Sequence, residues 1–148
     1  MRILAVDPGE KRIGLALSDR TATIANPLSV IEHVSRPVDA AIVADIASQH
    51  NVSLIIIGQA CDMDGKPNLS GRSAARLAAA IRSKTNIPVR LWNEDYSTQD
   101  AIAARIELDS SRKKRREHLD VLAATIILQS YLDSTPKDQF PCSEENSH

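Results

Sequence analysis

Residues 1–19, Met-Arg-Ile-Leu-Ala-Val-Asp-Pro-Gly-Glu-Lys-Arg-Ile-Gly-Leu-Ala-Leu-Ser-Asp, decide the fold class. Arg2 to Val6 is a short apolar run that ends at Asp7-Pro8-Gly9, and Arg12 to Ser18 resumes with Ile13, Leu15, Ala16 and Leu17 after the turn Pro8-Gly9-Glu10-Lys11. Two apolar runs separated by Pro and Gly, the residues that break a ladder and tolerate a tight turn, predict a β-hairpin. A third β-like stretch, Pro27 to His33, follows the polar segment Asp19 to Asn26, so three antiparallel strands are expected first.

Downstream the period changes. From Pro37 to His50, Val38, Ala41, Ile42, Ala44, Ile46 and Ala47 recur at helical spacing. Val52 to Ile57 is a continuous aliphatic run closed by Gly58, the pattern of a central parallel strand buried on both faces. Cys61 to Ser70, with Asp64-Gly65 and Pro67, is expected as a loop, and Ser70 to Lys84 as an alanine-rich helix. Pro88 to Trp92 reads as a strand, and Ser97 opens a helix to about Leu108 with Asp100 as a capping-box variant. A basic loop, Asp109 to Arg116, then leads into a helix from His118 to Leu132 whose apolar face is Leu119, Leu122, Ala123, Ile126, Ile127 and Leu132. A meander followed by alternating strands and helices implies an α/β fold, one mixed sheet flanked by helices.

The 148 residues are 43% hydrophobic, enough to bury one core. With one Trp, one Phe and two Tyr, the chain lacks the exposed ring platforms of RRM and single-strand-binding OB surfaces. Ser134 to His148 is polar, with Lys137 against Asp138, Glu144 and Glu145. The expected division is therefore a folded domain over 1–133 and a disordered tail over 134–148. The net charge of −1 gives no nucleic-acid signal, but its distribution does: Arg112, Lys113, Lys114, Arg115 and Arg116 are consecutive cations. Cys61 and Cys142 suggest neither a disulfide framework nor a zinc site. No apolar run approaches the roughly 20 residues of a membrane span, so a cytoplasmic location is expected.

Three acids stand out by position: Asp7 ends the first strand, Glu94 follows the Pro88 to Trp92 strand, and Asp120 lies near the start of the last helix. Carboxyl ends of strands are where α/β sheets bind ligands. Clustered carboxylates repel one another unless cations intervene, and hard oxygen ligands suit Mg²⁺ or Mn²⁺. A two-metal site of this kind activates water and stabilises the leaving oxygen of a phosphodiester. Each acid also has a plain structural account, as a turn former or a complement to a helix N-terminus. The run from Arg112 to Arg116, directly before the helix of Asp120, has the density of a phosphate clamp. Arg12 and Arg72 are weaker candidates for backbone contacts. His118 is two residues from Asp120 and on a different helical face; Ser97 and Thr98 read as caps, and Trp92 as sheet core.

Residues 1–19 resemble the opening of the YqgF family, the RuvX-type, Holliday-junction-resolvase-like nucleases of pre-16S ribosomal RNA. Further blocks agree in order. Met63-Asp64-Gly65 with Ser70-Gly71 is similar to the family's central loop, Asn93-Glu94-Asp95-Tyr96-Ser97-Thr98 to its Asp-Glu-Arg-x-Ser/Thr-Thr block, and Asp120 to Asp133 to its closing helix. The resemblance implies a ribonuclease-H-like fold, catalytic and metal-holding roles at Asp7, Glu94 and Asp120, and metal-dependent processing of the 5′ end of small-subunit ribosomal RNA. Asn93 stands where the family has Asp, Asp95 where it has Arg, and Gln59-Ala60 where it has Leu-Pro. These departures keep open a nucleic-acid-binding module that cleaves nothing. The Asp7 to Gly14 turn also resembles the first phosphate hairpin of actin-like and sugar kinases, which need a second domain that this length does not hold. The sequence leaves open RNA against branched DNA, and monomer against homodimer.

Overall fold

Alternate side chains of the first strand point to two different helical layers, and that alternation organises the domain. A computed structural model describes residues 1–9, 11–59, 69–93 and 112–134, with the backbone alone at 69–70 and 112–121. Among these residues the strands are β1 (Arg2–Pro8), β2 (Arg12–Ser18), β3 (Ala25–Glu32), β4 (Val52–Gln59) and β5 (Val89–Asn93), and the helices α1 (Arg36–Gln49), α2 (Leu69–Arg82) and α3 (Arg112–Ser134). The sheet order is β3-β2-β1-β4-β5. The β1–β2 and β2–β3 pairs are antiparallel, whereas β4 is parallel to both β1 and β5. The expected meander and the central parallel strand are both present.

Leu4 and Val6 of β1, with Ile13 and Leu15 of β2 and Ile55 and Ile57 of β4, pack under α1 and α2. The helices meet them through residues at i, i+3, i+4 and i+7: Ala74, Leu77, Ala78 and Ile81 on α2, and Ala40, Val43 and Ala47 on α1. Ile3 and Ala5, with Ala16, Leu54 and Ile56, instead pack under α3 through Ala124, Leu128, Tyr131 and Leu132. Period two on the strands thus sorts each side chain to one layer.

α3 is fastened toward both outer strands. The Gln129 side chain accepts from the Ala25 amide (2.9 Å) and donates to the Thr23 carbonyl (3.1 Å) at the start of β3. On the β5 side, Arg90 donates to the Tyr131 hydroxyl (3.1 Å), Trp92 Nε1 donates to Ser130 Oγ (3.4 Å), and the Trp92 and Tyr131 rings meet edge to face at 5.1 Å. α1 has Ser35 as N-cap, accepting from the Val38 amide at 3.4 Å, and it ends against Asn51 in the left-handed region, φ 53°.

Several expectations are corrected. β1 extends one residue past Asp7, pairing Asp7 with Gly14 and Pro8 with Ile13. The basic run is not a loop: α3 begins at Arg112, and Arg112 to Arg116 are its first residues. Lys and Arg are good helix formers, so a run of them carries no breaker to delay the start. The buried seam of α3 is Ala124, Ile127, Leu128, Tyr131 and Leu132, with Leu122, Ala123 and Ile126 only partly covered. This segment is apolar almost all round, so its sequence period does not single out one face. Trp92 is half-buried at the margin of the α3 layer rather than inside it. α2 begins at Leu69, one residue before the expected start at Ser70, and ends at Arg82 rather than Lys84. The expected loop over 61–68, the helix from Ser97 to Leu108 and the tail beyond Ser134 lie outside the described residues. Among the described residues, no helix is long and apolar enough to cross a membrane.

Leu128 is fully buried between α3 and the sheet. Leu128→Ala is expected to lower unfolding free energy by about 2–5 kcal/mol, read from the urea midpoint, whereas Ile24→Ala at an exposed position should shift it by no more than about 0.5 kcal/mol.

Candidate active site at the carboxyl edge of the sheet

Because β1, β4 and β5 are mutually parallel, their carboxyl ends, at Pro8, Gln59 and Asn93, share one edge. Asp7 is in the penultimate position of β1 and half-buried. Its odd number places it with Ile3 and Ala5, on the side of the sheet covered by α3. Opposite it across the ladder is Gly14, so that rung presents no second side chain beside the carboxylate. Pro8, the next residue, belongs to the α1 and α2 side, where it lines a cavity together with Asp39 and Leu77.

The turn after Asp7 is tight for a specific reason. A Cβ built on Gly9 would stand 2.3 Å from the Arg12 carbonyl oxygen, a backbone atom that cannot swing away. Only glycine allows this approach without opening the hairpin. Arg12 is thereby held at the start of β2, half-buried, on the same edge as Asp7.

Gln59 ends β4 level with Asn93 of β5, and its Nε2 donates to the Gly71 carbonyl at 3.1 Å. The bond draws the first turn of α2 to this edge and leaves Arg72 exposed there. In the sequence Gln59 stands only as a departure from a family pattern, whereas in the fold its amide ties strand to helix.

Asp120 lies in α3, four residues before Ala124 and therefore on the stripe of the helix that Ala124 occupies. Ala124 is buried in the same layer as Ile3 and Ala5. Arg112 to Arg116 form the first turn and the beginning of the second turn of that helix, and His118 is also within it. Glu94 and Asp95 follow Asn93 directly in sequence and lie outside the described residues, as do Ser97 and Thr98. The edge therefore brings together Asp7, Arg12, Asn93 and Arg72, and the α3 stripe carries position 120. Among the described residues, there is no group of three or more His, Cys, Asp or Glu side chains able to hold a metal.

A second polar feature was not singled out from the sequence. The Asp39 carboxylate is 2% exposed and receives both His33 Nδ1 and the Val34 amide, the latter at 3.0 Å. The signal was present in Ser35-Arg-Pro-Val-Asp39, where an acid in the first turn of a helix can reach back to the chain that enters it.

A hairpin-first mixed sheet, helices on both faces and an acid at the end of the first strand define a ribonuclease-H-like domain. Solved structures share the architecture. Thermus thermophilus RuvC in complex with Holliday junction substrate aligns with a TM-score of 0.59 at 13% identity, over 90% of this chain and 96% of that one. The fowlpox virus Holliday junction resolvase aligns at 0.52 and 20% identity, over 91% and 100%. The family model RuvX, described as Holliday junction resolvase, matches residues 1–134, and the chain belongs to that family. A curated relative in Thermoanaerobacter pseudethanolicus, named "Putative pre-16S rRNA nuclease", is 39% identical over 135 residues, 90% of this chain and 97% of the relative. A relative of the same name in Caldanaerobacter subterraneus is 38% identical over the same shares of the two chains. Membership puts the chain among phosphodiester hydrolases.

Gly9→Ala is expected to open the turn and cost about 1–3 kcal/mol of stability, the usual cost of forcing extra atoms into a packed site. Chemical denaturation checks it, and an unchanged midpoint would show that the hairpin yields freely.

Proposed function

We propose that this protein is a divalent-metal-dependent endonuclease that matures the 5′ end of pre-16S ribosomal RNA in the cytoplasm, with Asp7, Glu94 and Asp120 as its catalytic, metal-holding carboxylates. One observation carries the reading. Asp7 occupies the carboxyl end of β1 on the face covered by α3, and Asp120 sits on that helix four residues, about 6 Å along the axis, before buried Ala124. Arg90 and Trp92 of β5 reach Tyr131 and Ser130 of α3, and Glu94, the third acid, follows the last residue of that strand directly in sequence.

Asp7 fits a hard cation: it is an anionic oxygen donor at a strand end, half-buried, with glycine opposite. When bound there, Mg²⁺ or Mn²⁺ polarises a phosphoryl oxygen and lowers the pKa of water. The protein's own part is to hold the carboxylates at fixed positions on rigid elements and to bring the strand to be cut across them. Arg112 to Arg116 serve that second task. Cations in the first turn of a helix oppose its macrodipole, so stability alone does not favour them there; a partner rich in phosphate does. Arg12 and Arg72 extend the cationic edge. Asn93, at the end of β5, retains a carbonyl oxygen that can accept a hydrogen bond where the family pattern has a carboxylate.

Ribosomal RNA is preferred as the substrate because the relatives at 38% and 39% identity carry that name. Branched DNA is the second reading, favoured by the description of the family model. Purified protein should cleave a structured precursor of 16S RNA only with Mg²⁺ or Mn²⁺ present, and a four-way DNA junction offered alongside separates the two substrates. Asp7→Asn is expected to reduce cleavage on the order of 10³-fold, equivalent to about 4 kcal/mol of barrier, with the unfolding midpoint close to that of the parent. Cleavage at parental rate by that variant would end the reading. Replacing Arg112 to Arg116 with Gln should weaken nucleic-acid binding and lower the salt slope by about 0.7–0.9 for each phosphate contact removed.

A further inference from the structure

On the other side of the Asp7 edge, between the β1–β2 turn, the β3–α1 corner and the first turns of α2, is a cavity of about 250 Å³. Pro8, Ile13 and Leu77 supply apolar wall, and Ile13 and Leu77 belong to the core beneath α1 and α2. Among the described residues, its polar lining beside Asp39 consists of residues that carry donors: Arg36, His33, Ser35 and Ser73. Asp39, the one acid among the described residues that line it, has each carboxylate oxygen engaged, Oδ1 by the Val34 amide and Oδ2 by His33 Nδ1. That bond orients the imidazole and leaves Nε2 as its second hydrogen-bonding atom, on a ring still 42% exposed. Arg36 is exposed and, among the described residues, has no ion-pair partner. Arg72 and Arg76 are exposed on the same helix as Ser73.

Permanent cationic charge, neutral donors and an apolar wall together match a phosphoryl oxyanion carrying a sugar. The position says which one. Pro8 lines the cavity and follows Asp7 directly, about 3.8 Å away between Cα atoms, so a strand presented to Asp7 passes the mouth. We infer that this cavity is a phosphate subsite of the nuclease: it takes a backbone phosphate near the one cut, with Arg36 as the charge and His33, Ser35 and Ser73 as hydrogen-bond partners. The inference rests on the nuclease reading above. It adds to it a contact on the face of the sheet opposite α3, so the substrate grips both sides of the edge.

The test uses the full chain with Asp7→Asn to suppress turnover, and measures binding of the structured RNA across a salt series. Arg36→Gln is expected to weaken binding about 5–10-fold at moderate salt and to lower the salt slope by about 0.7–0.9, one phosphate contact. Ser73→Asp, a second exposed change that places a like charge at the mouth, should weaken binding further. Lys84→Gln, in the turn two residues past the end of α2, is the control and should leave the slope unchanged. The subsite is overturned if Arg36→Gln and Ser73→Asp bind as the parent does, or if Lys84→Gln changes the slope equally. Thermal stabilisation by inorganic phosphate that Arg36→Gln abolishes, with RNA binding untouched, would mark a free-anion site and overturn the assignment to the strand. The two readings fail separately. Metal-dependent cleavage with no Arg36 effect removes the subsite alone, and an Arg36 effect in a protein that never cleaves removes the nuclease alone.

Discussion

β1 is hydrogen-bonded along both edges, antiparallel to β2 and parallel to β4, and Ile3 to Val6 have no solvent exposure. That double pairing fixes the register on which everything at the functional edge depends. A slip of one residue would exchange the side chains under α1 and α2 with those under α3, moving Ile3 and Ala5 into the wrong layer and Asp7 to the opposite face. It would also leave buried backbone groups unpaired, at about 1–3 kcal/mol each. The core thus fixes the backbone position of that carboxylate.

The same alternation lets two neighbouring residues serve two sides of the edge. Asp7 faces the α3 layer, and Pro8 faces the layer of α1 and α2. Gly9 then turns the chain so sharply that only its lack of a Cβ clears Arg12. α2 is drawn to the edge by Gln59, and α3 is held by Gln129 on one side and by Tyr131 and Ser130 on the other. These ties lie on strands and helices, which hold side chains in place better than loops do.

The sheet was legible in the sequence because its strands are short apolar runs bounded by Pro, Gly and polar residues. β2 has the expected bounds, and β4 reads as buried on both faces because Leu54 to Gly58 are buried. Asp7 was legible as a strand-end acid. The seam of α3 was not, since Val121 to Leu128 offers apolar residues in every direction and only packing selects Leu128 and Tyr131. The helical start at Arg112 was hidden because consecutive charges read as solvated loop, although their backbone propensity is helical. The His33–Asp39 pair was hidden for another reason. It depends on the β3–α1 corner folding back, a tertiary event without a sequence period.

The charge distribution bears on what kind of substrate the edge suits. With a net charge of −1, the molecule as a whole does not attract a polyanion. At physiological salt the Debye length is about 8 Å, so each cationic cluster acts only on phosphate already close to it. On the proposed reading these clusters are separate: Arg112 to Arg116 at the head of α3, Arg12 and Arg72 at the edge, and Arg36 on the face of α1. A backbone that bends around the sheet edge can satisfy several together, and the gain from each added contact is multiplicative in affinity. On the proposed reading, selectivity for folded or branched nucleic acid would then follow from where a nearly neutral protein places its cations, with no need for base-specific contacts.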